Sequence, residues 1–373
     1  MKFGAVATLM LGTALLGTTV PGRAQSTDPN PAVNEPDKIS WQLFVQVNKP
    51  AAAGSKDALF ETWASNQTTF TQNPRWPGST TPPACGPAVA QPAPAAPVPG
   101  PAVAAAAPKA LTLPALVEFA PRLPGLQPHV VPGGGEEVRR NKVTFDFIVC
   151  NNLFNRTGLK AAFAAGKPIV FPTDSIEVKA DWVLANSVTD PSQYHVNNAG
   201  GQQFALVGMH IISKQIPNWT WATFEHKNNA GRCDFMGCRD NFGATKDVVG
   251  PQAPVGGQYG PCDKTPALKK MFSDAGLPAY WDNYCLKGSQ VEFTTSTGAP
   301  TLLGNSIIED GFVQTSSCIT CHTRASVSSN GDMAQGLGFL PSGLSPNGTP
   351  DPNWFINTLQ TDFVWSVALR AIP

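Results

Sequence analysis

Apolar positions along this chain follow two rhythms, and each rhythm predicts its own elements. Near the start, Trp41, Phe44 and Val45 recur at close to helical spacing, which predicts a helix over Asp37–Val47 with Asp37 as its N-cap and Pro50 beyond its end. Leu59, Phe60 and Trp63 share one face of a second helical candidate, Lys56–Trp63. Val143–Val149 alternates in part and is rich in Phe, Val and Ile, so it reads as a strand. A short helix over Gly158–Ala165 stops at Gly166, and Ile169–Phe171 and Ile176–Trp182 follow as further strand signals. Phe204–Ser213 and Trp219–His226 read as a β-hairpin whose loop holds Pro217-Asn218. With that five-residue loop Ser213 opposes Trp219 and His210 opposes Ala222, so His210 and His226 share one face. Pro266–Ala275 and Asn353–Leu359 read as short helices, the second followed by apolar Phe363–Val367.

Composition adds the organisation. With 34 glycines and 36 prolines in 373 residues, the fold is expected to be loop-rich rather than a helix bundle. Met1-Lys2, an apolar run from Phe3 to Val20 and small Ala24 have the form of a secretory signal peptide over 1–24. The alternative is a membrane anchor, but glycines and threonines interrupt the run and it lies near the short limit for spanning. No later stretch is expected to span a membrane. Residues 25–78 form an N-terminal helical segment. Residues 79–115 are a Pro/Ala-rich low-complexity insertion that carries no charge from Ser79 to Pro108. Residues 116–300 hold most of the strand signals.

Charge is balanced at 26 basic and 26 acidic residues; loss of 1–24 removes Lys2 and Arg23 and no acid. That balance argues against nucleic acid or an anionic membrane surface as the main partner. Of eight cysteines, Cys85, Cys150, Cys233, Cys238, Cys262 and Cys285 make an even set that predicts three disulfides, with fifteen pairings open. A zinc site built from Cys233, Cys238, Cys262 and Cys285 is the competing reading.

The other two cysteines lie in Cys318-Ile319-Thr320-Cys321-His322. Cys-x-x-Cys-His is the attachment signal for a c-type haem. Two thiols about one helical turn apart can reach the two vinyl groups of one porphyrin edge, and the following imidazole can ligate the iron as the proximal ligand. A thioredoxin-like dithiol needs a βαβ setting that does not precede Cys318, and half a zinc site needs a second pair that does not follow Cys321. A disulfide across two residues would be cramped. The expected fold class is therefore α+β: a β-rich central domain, with a smaller helical and loop segment for haem c over 301–373. Signal and motif together place the protein in the periplasm or outside the cell.

Cys318–His322 resembles the motif of the cytochrome c superfamily. Four longer stretches are Ser40–Phe44, Ile176–Trp182, Val207–Ile211 and Trp221–His226. They resemble a family of uncharacterised exported bacterial proteins with one C-terminal haem motif, which implies a monohaem c-type protein and no particular reaction. Electron transfer with a redox partner protein is the first functional expectation. A haem-dependent peroxidase or oxygenase is the second, with Glu225, His210, His226 and Arg324 as polar candidates by residue type. A haem-based sensor or binding module is the third. For the distal side of the iron, His226 is the first choice because it ends its strand; Met333 and His210 are the other candidates.

Overall fold

The computed structural model describes residues 30–86, 135–250, 256–310, 312–334 and 347–373. The expected signal peptide and residues 87–115 of the expected insertion lie outside the described residues.

One antiparallel sheet organises the chain. Its strands are β1 (Ala64–Ser65), β2 (Gly135–Arg140), β3 (Ile176–Leu184), β4 (Val196–Ala199), β5 (Gln202–Ser213), β6 (Thr220–His226) and β7 (Tyr284–Gln290). They run in the order β1-β2-β3-β5-β6-β7, with β4 pairing only the start of β5. The sheet thus recruits one strand, β1, from before residue 116. Gly200 and Gly201 join β4 to β5 with φ of 56° and 79°, a two-residue turn that needs positive φ at both positions. A second, two-stranded sheet pairs β8 (Ser326–Val327) with β9 (Leu359–Gln360).

The helices are α1 (Pro31–Asn34), α2 (Pro36–Asn48), α3 (Asn66–Thr69), α4 (Lys142–Cys150), α5 (Arg156–Ala164), α6 (Pro266–Asp274), α7 (Cys318–Thr323) and α8 (Trp365–Arg370). None of the described helices is long and apolar enough to cross a membrane. Helices with an antiparallel sheet make the fold α+β.

Both faces of the sheet are covered, so β6 is buried at every residue and the central strands read as near-continuous apolar runs. One face carries Val178, Ala180, Met209, Ile211, Ala222 and Phe224 against Trp41 and Phe44 of α2 and Phe272 of α6. The other carries Ile212 and Trp221 against Leu303, Ile319, Val364 and Trp365. The C-terminal segment therefore forms a third layer on the sheet.

Several expectations need correction. Val143–Val149 is helix, not strand: it lies within α4, where Asn141 caps the first turn by accepting from the Thr144 N–H, and Phe145 and Ile148 are buried three apart. Asp37 is not the N-cap of α2 but a buried first-turn residue whose carboxylate accepts from the backbone and side chain of Asn241. Lys56–Trp63 contributes only a 3-10 turn at Leu59–Thr62, and 353–359 only one at Pro352–Phe355. Ile169 and Phe171 are buried but form no strand.

The β5–β6 hairpin exists, with a register one residue away from expectation. Ser213 opposes Thr220, and His210 opposes Thr223. The cause is Trp219, which takes φ of 59° and donates its N–H to the Ile216 carbonyl, so it belongs to the turn. One residue changes the face relation: His210 and His226 lie on opposite faces of the sheet.

Three disulfides join Cys85 to Cys150, Cys233 to Cys238 and Cys262 to Cys285. These pairs resolve the fifteen-fold ambiguity and remove the zinc reading of the last four cysteines. Among the described residues, no group of three or more His, Cys, Asp or Glu is arranged to hold a bare metal ion.

Candidate functional site

Helix α7 has six residues and too little length to stabilise itself. The sheet caps it. Gln290, at the end of β7, accepts from the Ile319 N–H at 3.0 Å and donates to Ser317 Oγ at 2.9 Å. Ile319 is fully buried beneath the helix. The helix thereby presents Cys318 and Cys321 one turn apart, as the only unbridged cysteines of the chain. Burial pushes both thiols above the ordinary cysteine range, Cys318 strongly. They are protonated thiols, unlike the activated thiolate of a thioredoxin-like dithiol.

His322 follows, its ring 4.6 Å from that of Trp221. Its Nδ1 lies 2.8 Å from the Phe363 carbonyl oxygen. A carbonyl can only accept, so Nδ1 carries the proton and Nε2 keeps its lone pair. Burial lowers the imidazole pKa to about 4, against the opposing hydrogen bond, so the ring is neutral at pH 7.

The acceptor is held by uncommon backbone. Asp362 and Phe363 have φ of 51° and 69°, left-handed values that cost energy in non-glycine residues. Buried polar contacts offset that cost: Asp362 accepts from the Phe171 N–H at 2.7 Å and from Lys214 Nζ at 2.6 Å. Phe363 also packs on Trp221 at 5.9 Å between ring centres.

On the same sheet face, Lys179, His210 and Thr223 form a row across β3, β5 and β6. The loop 305–309 is pinned to this row. Asn305 Nδ2 donates to Thr223 Oγ1 at 3.0 Å, and the Ser306 N–H donates to Glu225 at 2.8 Å. His210 Nε2 lies 3.1 Å from Glu309 Oε1. Burial alone would raise the Glu309 pKa, but His210 and Lys179 hold it down to about 2. Lys179 is also paired with Glu136 at 3.0 Å. Gly208 opposes Glu225 in this surface, and a Cβ there would meet Asn305 Nδ2 at 3.0 Å; glycine permits the close approach of the loop.

The structure brings together some expected residues and separates others. Cys318, Cys321, His322 and His210 lie on one face. Met333 bridges to Val327 and packs in the apolar cluster that contains Cys318. His226 is on the other face, stacked on Tyr194 at 3.5 Å and edge-on to Tyr284. Its Nε2 meets the Gln193 carbonyl, its Nδ1 accepts from the Asn228 N–H, and burial lowers its pKa to about 4. Both nitrogens are occupied, and His226 lies on the sheet face opposite His210. Glu225 is fully buried and structural, accepting from Ser306 and Asn229 beside Lys287. The Arg324 guanidinium lies over Trp354 at 5.7 Å. Sequence reasoning missed Gln290, Glu309, Asp362 and Phe363; no spacing marks them, because each acts through a tertiary contact.

Comparison of the chain with protein-family models, curated proteins and solved structures finds no match. The site's chemistry therefore rests on its own residues. It offers two thiols able to add to carbon–carbon double bonds and one neutral nitrogen donor beside them.

Proposed function

We propose that this chain is an exported monohaem c-type cytochrome that transfers single electrons to or from a redox partner protein. Cys318 and Cys321 would hold the haem by adding their S–H groups across its two vinyls, and His322 would be the proximal ligand. The observation that carries this reading is His322: its Nδ1–H is donated to the Phe363 carbonyl, which leaves the ring lone pair on Nε2, beside two unbridged thiols. Metal-bound histidines characteristically donate their other ring nitrogen to a carbonyl or carboxylate, which fixes tautomer and ring angle.

The surroundings fit the group. Trp221, Phe363 and Phe293 supply aromatic surface for a porphyrin. A bound haem c supplies a one-electron couple whose potential the protein tunes through ligation, hydrogen bonding and burial. Neutral His322, locked by Phe363, needs no proton movement to serve as ligand, which suits rapid electron exchange. Three disulfides belong to an oxidising compartment, which suits an exported protein.

The test is the absorption spectrum of the purified protein, oxidised and reduced, with and without carbon monoxide and peroxide. The expected result is a low-spin spectrum that cycles reversibly and ignores both additives. A high-spin iron that binds carbon monoxide and turns over peroxide would replace electron transfer by an oxidoreductase reading.

A further inference from the structure

We propose that His210, oriented by Glu309, is the second axial ligand of the iron and forms a carboxylate–histidine–iron unit with it. The inference rests on the haem reading above and adds the far side of the site.

The geometry of one ring carries it. His210 Nε2 lies 3.1 Å from Glu309 Oε1, and Glu309 Oε2 accepts the Asn305 N–H at 2.6 Å. Both carboxylate oxygens are acceptors, so Nε2 carries a proton and donates it, and in the neutral ring Nδ1 holds the lone pair. That Nδ1 is buried and has no hydrogen-bond partner among the described residues. A buried ring nitrogen left without a hydrogen-bond partner is costly, and such atoms call for a missing partner. A carboxylate behind a histidine, with the opposite nitrogen free, is the arrangement that raises imidazole basicity toward a metal.

The position is consistent. His210 shares its sheet face with Trp221, whose ring touches His322. Lys179 is its direct neighbour on β3 and is itself balanced by Glu136. Glu309 is held at both oxygens, so the His210 ring cannot rotate away without breaking its contact with Oε1. The other candidates differ: His226 has no free nitrogen, and Met333 contacts the apolar cluster rather than this row.

The test uses the full exported protein with haem attached. Haem staining on a denaturing gel reports attachment; absorption and electron paramagnetic resonance report the ligand. The unsubstituted protein is expected to be six-coordinate, low-spin and of bis-histidine type. His210→Gly is expected to keep covalent haem, become high-spin, and return to low-spin when imidazole is added. Glu309→Gln should stay low-spin and shift the equilibrium toward ferrous iron by about tenfold, a rise of about 59 mV in potential, because one negative charge is lost. Met333→Leu should leave the spectrum unchanged. Low-spin character that survives His210→Gly and disappears in Met333→Leu would overturn the assignment to His210 while leaving the haem reading intact. Absence of covalent haem from the unsubstituted protein would overturn both.

Discussion

At the scale of single residues, buried polar groups do the positioning, and their protonation gives the fold a defined acid sensitivity. His226 is neutral in the folded state, with its pKa lowered from 6.5 to about 4. The unfolded chain then binds more protons, so this residue's stabilisation is present above about pH 6.5 and is lost as pH falls toward 4. Glu309 is lowered from 4.5 to about 2 and acts in a second window, from about 4.5 down to 2. His226→Phe should flatten the loss of stability between pH 6.5 and 4, read as urea midpoints across pH, and leave the haem spectrum unchanged. An equally steep loss in that variant would remove His226 as the cause. Gln290 matters differently. Gln290→Leu removes the acceptor at the Ile319 N–H and is expected to cost about 1 kcal/mol by chemical denaturation. The same variant should also lower the yield of attached haem, since the cysteines sit on the helix it caps. At this scale the two unbridged cysteines were legible, because Cys318 and Cys321 stand apart from the other six in their close spacing before His322. Glu309 and Gln290 were not, because a buried glutamate or glutamine looks like any surface one until the partner is known.

At the scale of elements, close approach between the sheet and the C-terminal layer decides the site. The loop 305–309 approaches β5 closely at position 208, where a Cβ would stand 3.0 Å from Asn305 Nδ2. Gly208→Val should push Asn305 away, release the His210–Glu309 contact, and destabilise the fold by about 1–3 kcal/mol. Denaturation would measure the cost, and a spectrum identical to that of the unsubstituted protein would show the contact to be irrelevant to the iron. The hairpin shows what pattern can and cannot supply. Its two strands were legible from long apolar runs. The register was not, because Trp219 reads as a good strand residue yet takes a left-handed φ inside the turn. That single residue moved His226 to the wrong face. Helix α4 shows the converse: Phe, Val and Ile favour a strand locally, but the Asn141 cap and the tertiary burial of Phe145 and Ile148 win.

At the scale of the whole molecule, a sheet buried on both faces holds a helical layer on one side and the Cys-x-x-Cys-His layer on the other. The α+β class followed from mixed periodicity and from abundant glycine and proline. The layering did not, since it depends on which face each strand presents. Disulfides tie the loop-rich parts to this frame. In the chain-entropy model the Cys85–Cys150 bridge, spanning 65 positions, contributes about 4 kcal/mol; Cys262–Cys285, spanning 23, about 3.5; and Cys233–Cys238, spanning 5, about 2. Pairwise replacement by serine should therefore lower stability in that order, and a largest loss for Cys233–Cys238 would contradict it. The central claim concerns what Cys318 and Cys321 carry. The most direct measurement is the intact mass of the unreduced, denatured protein from an exporting host able to attach haem, compared with a variant in which both cysteines are serine. The account predicts that the first is heavier than its polypeptide by one haem and the second is not. An unmodified mass for the first protein, with two free thiols by titration, would contradict it.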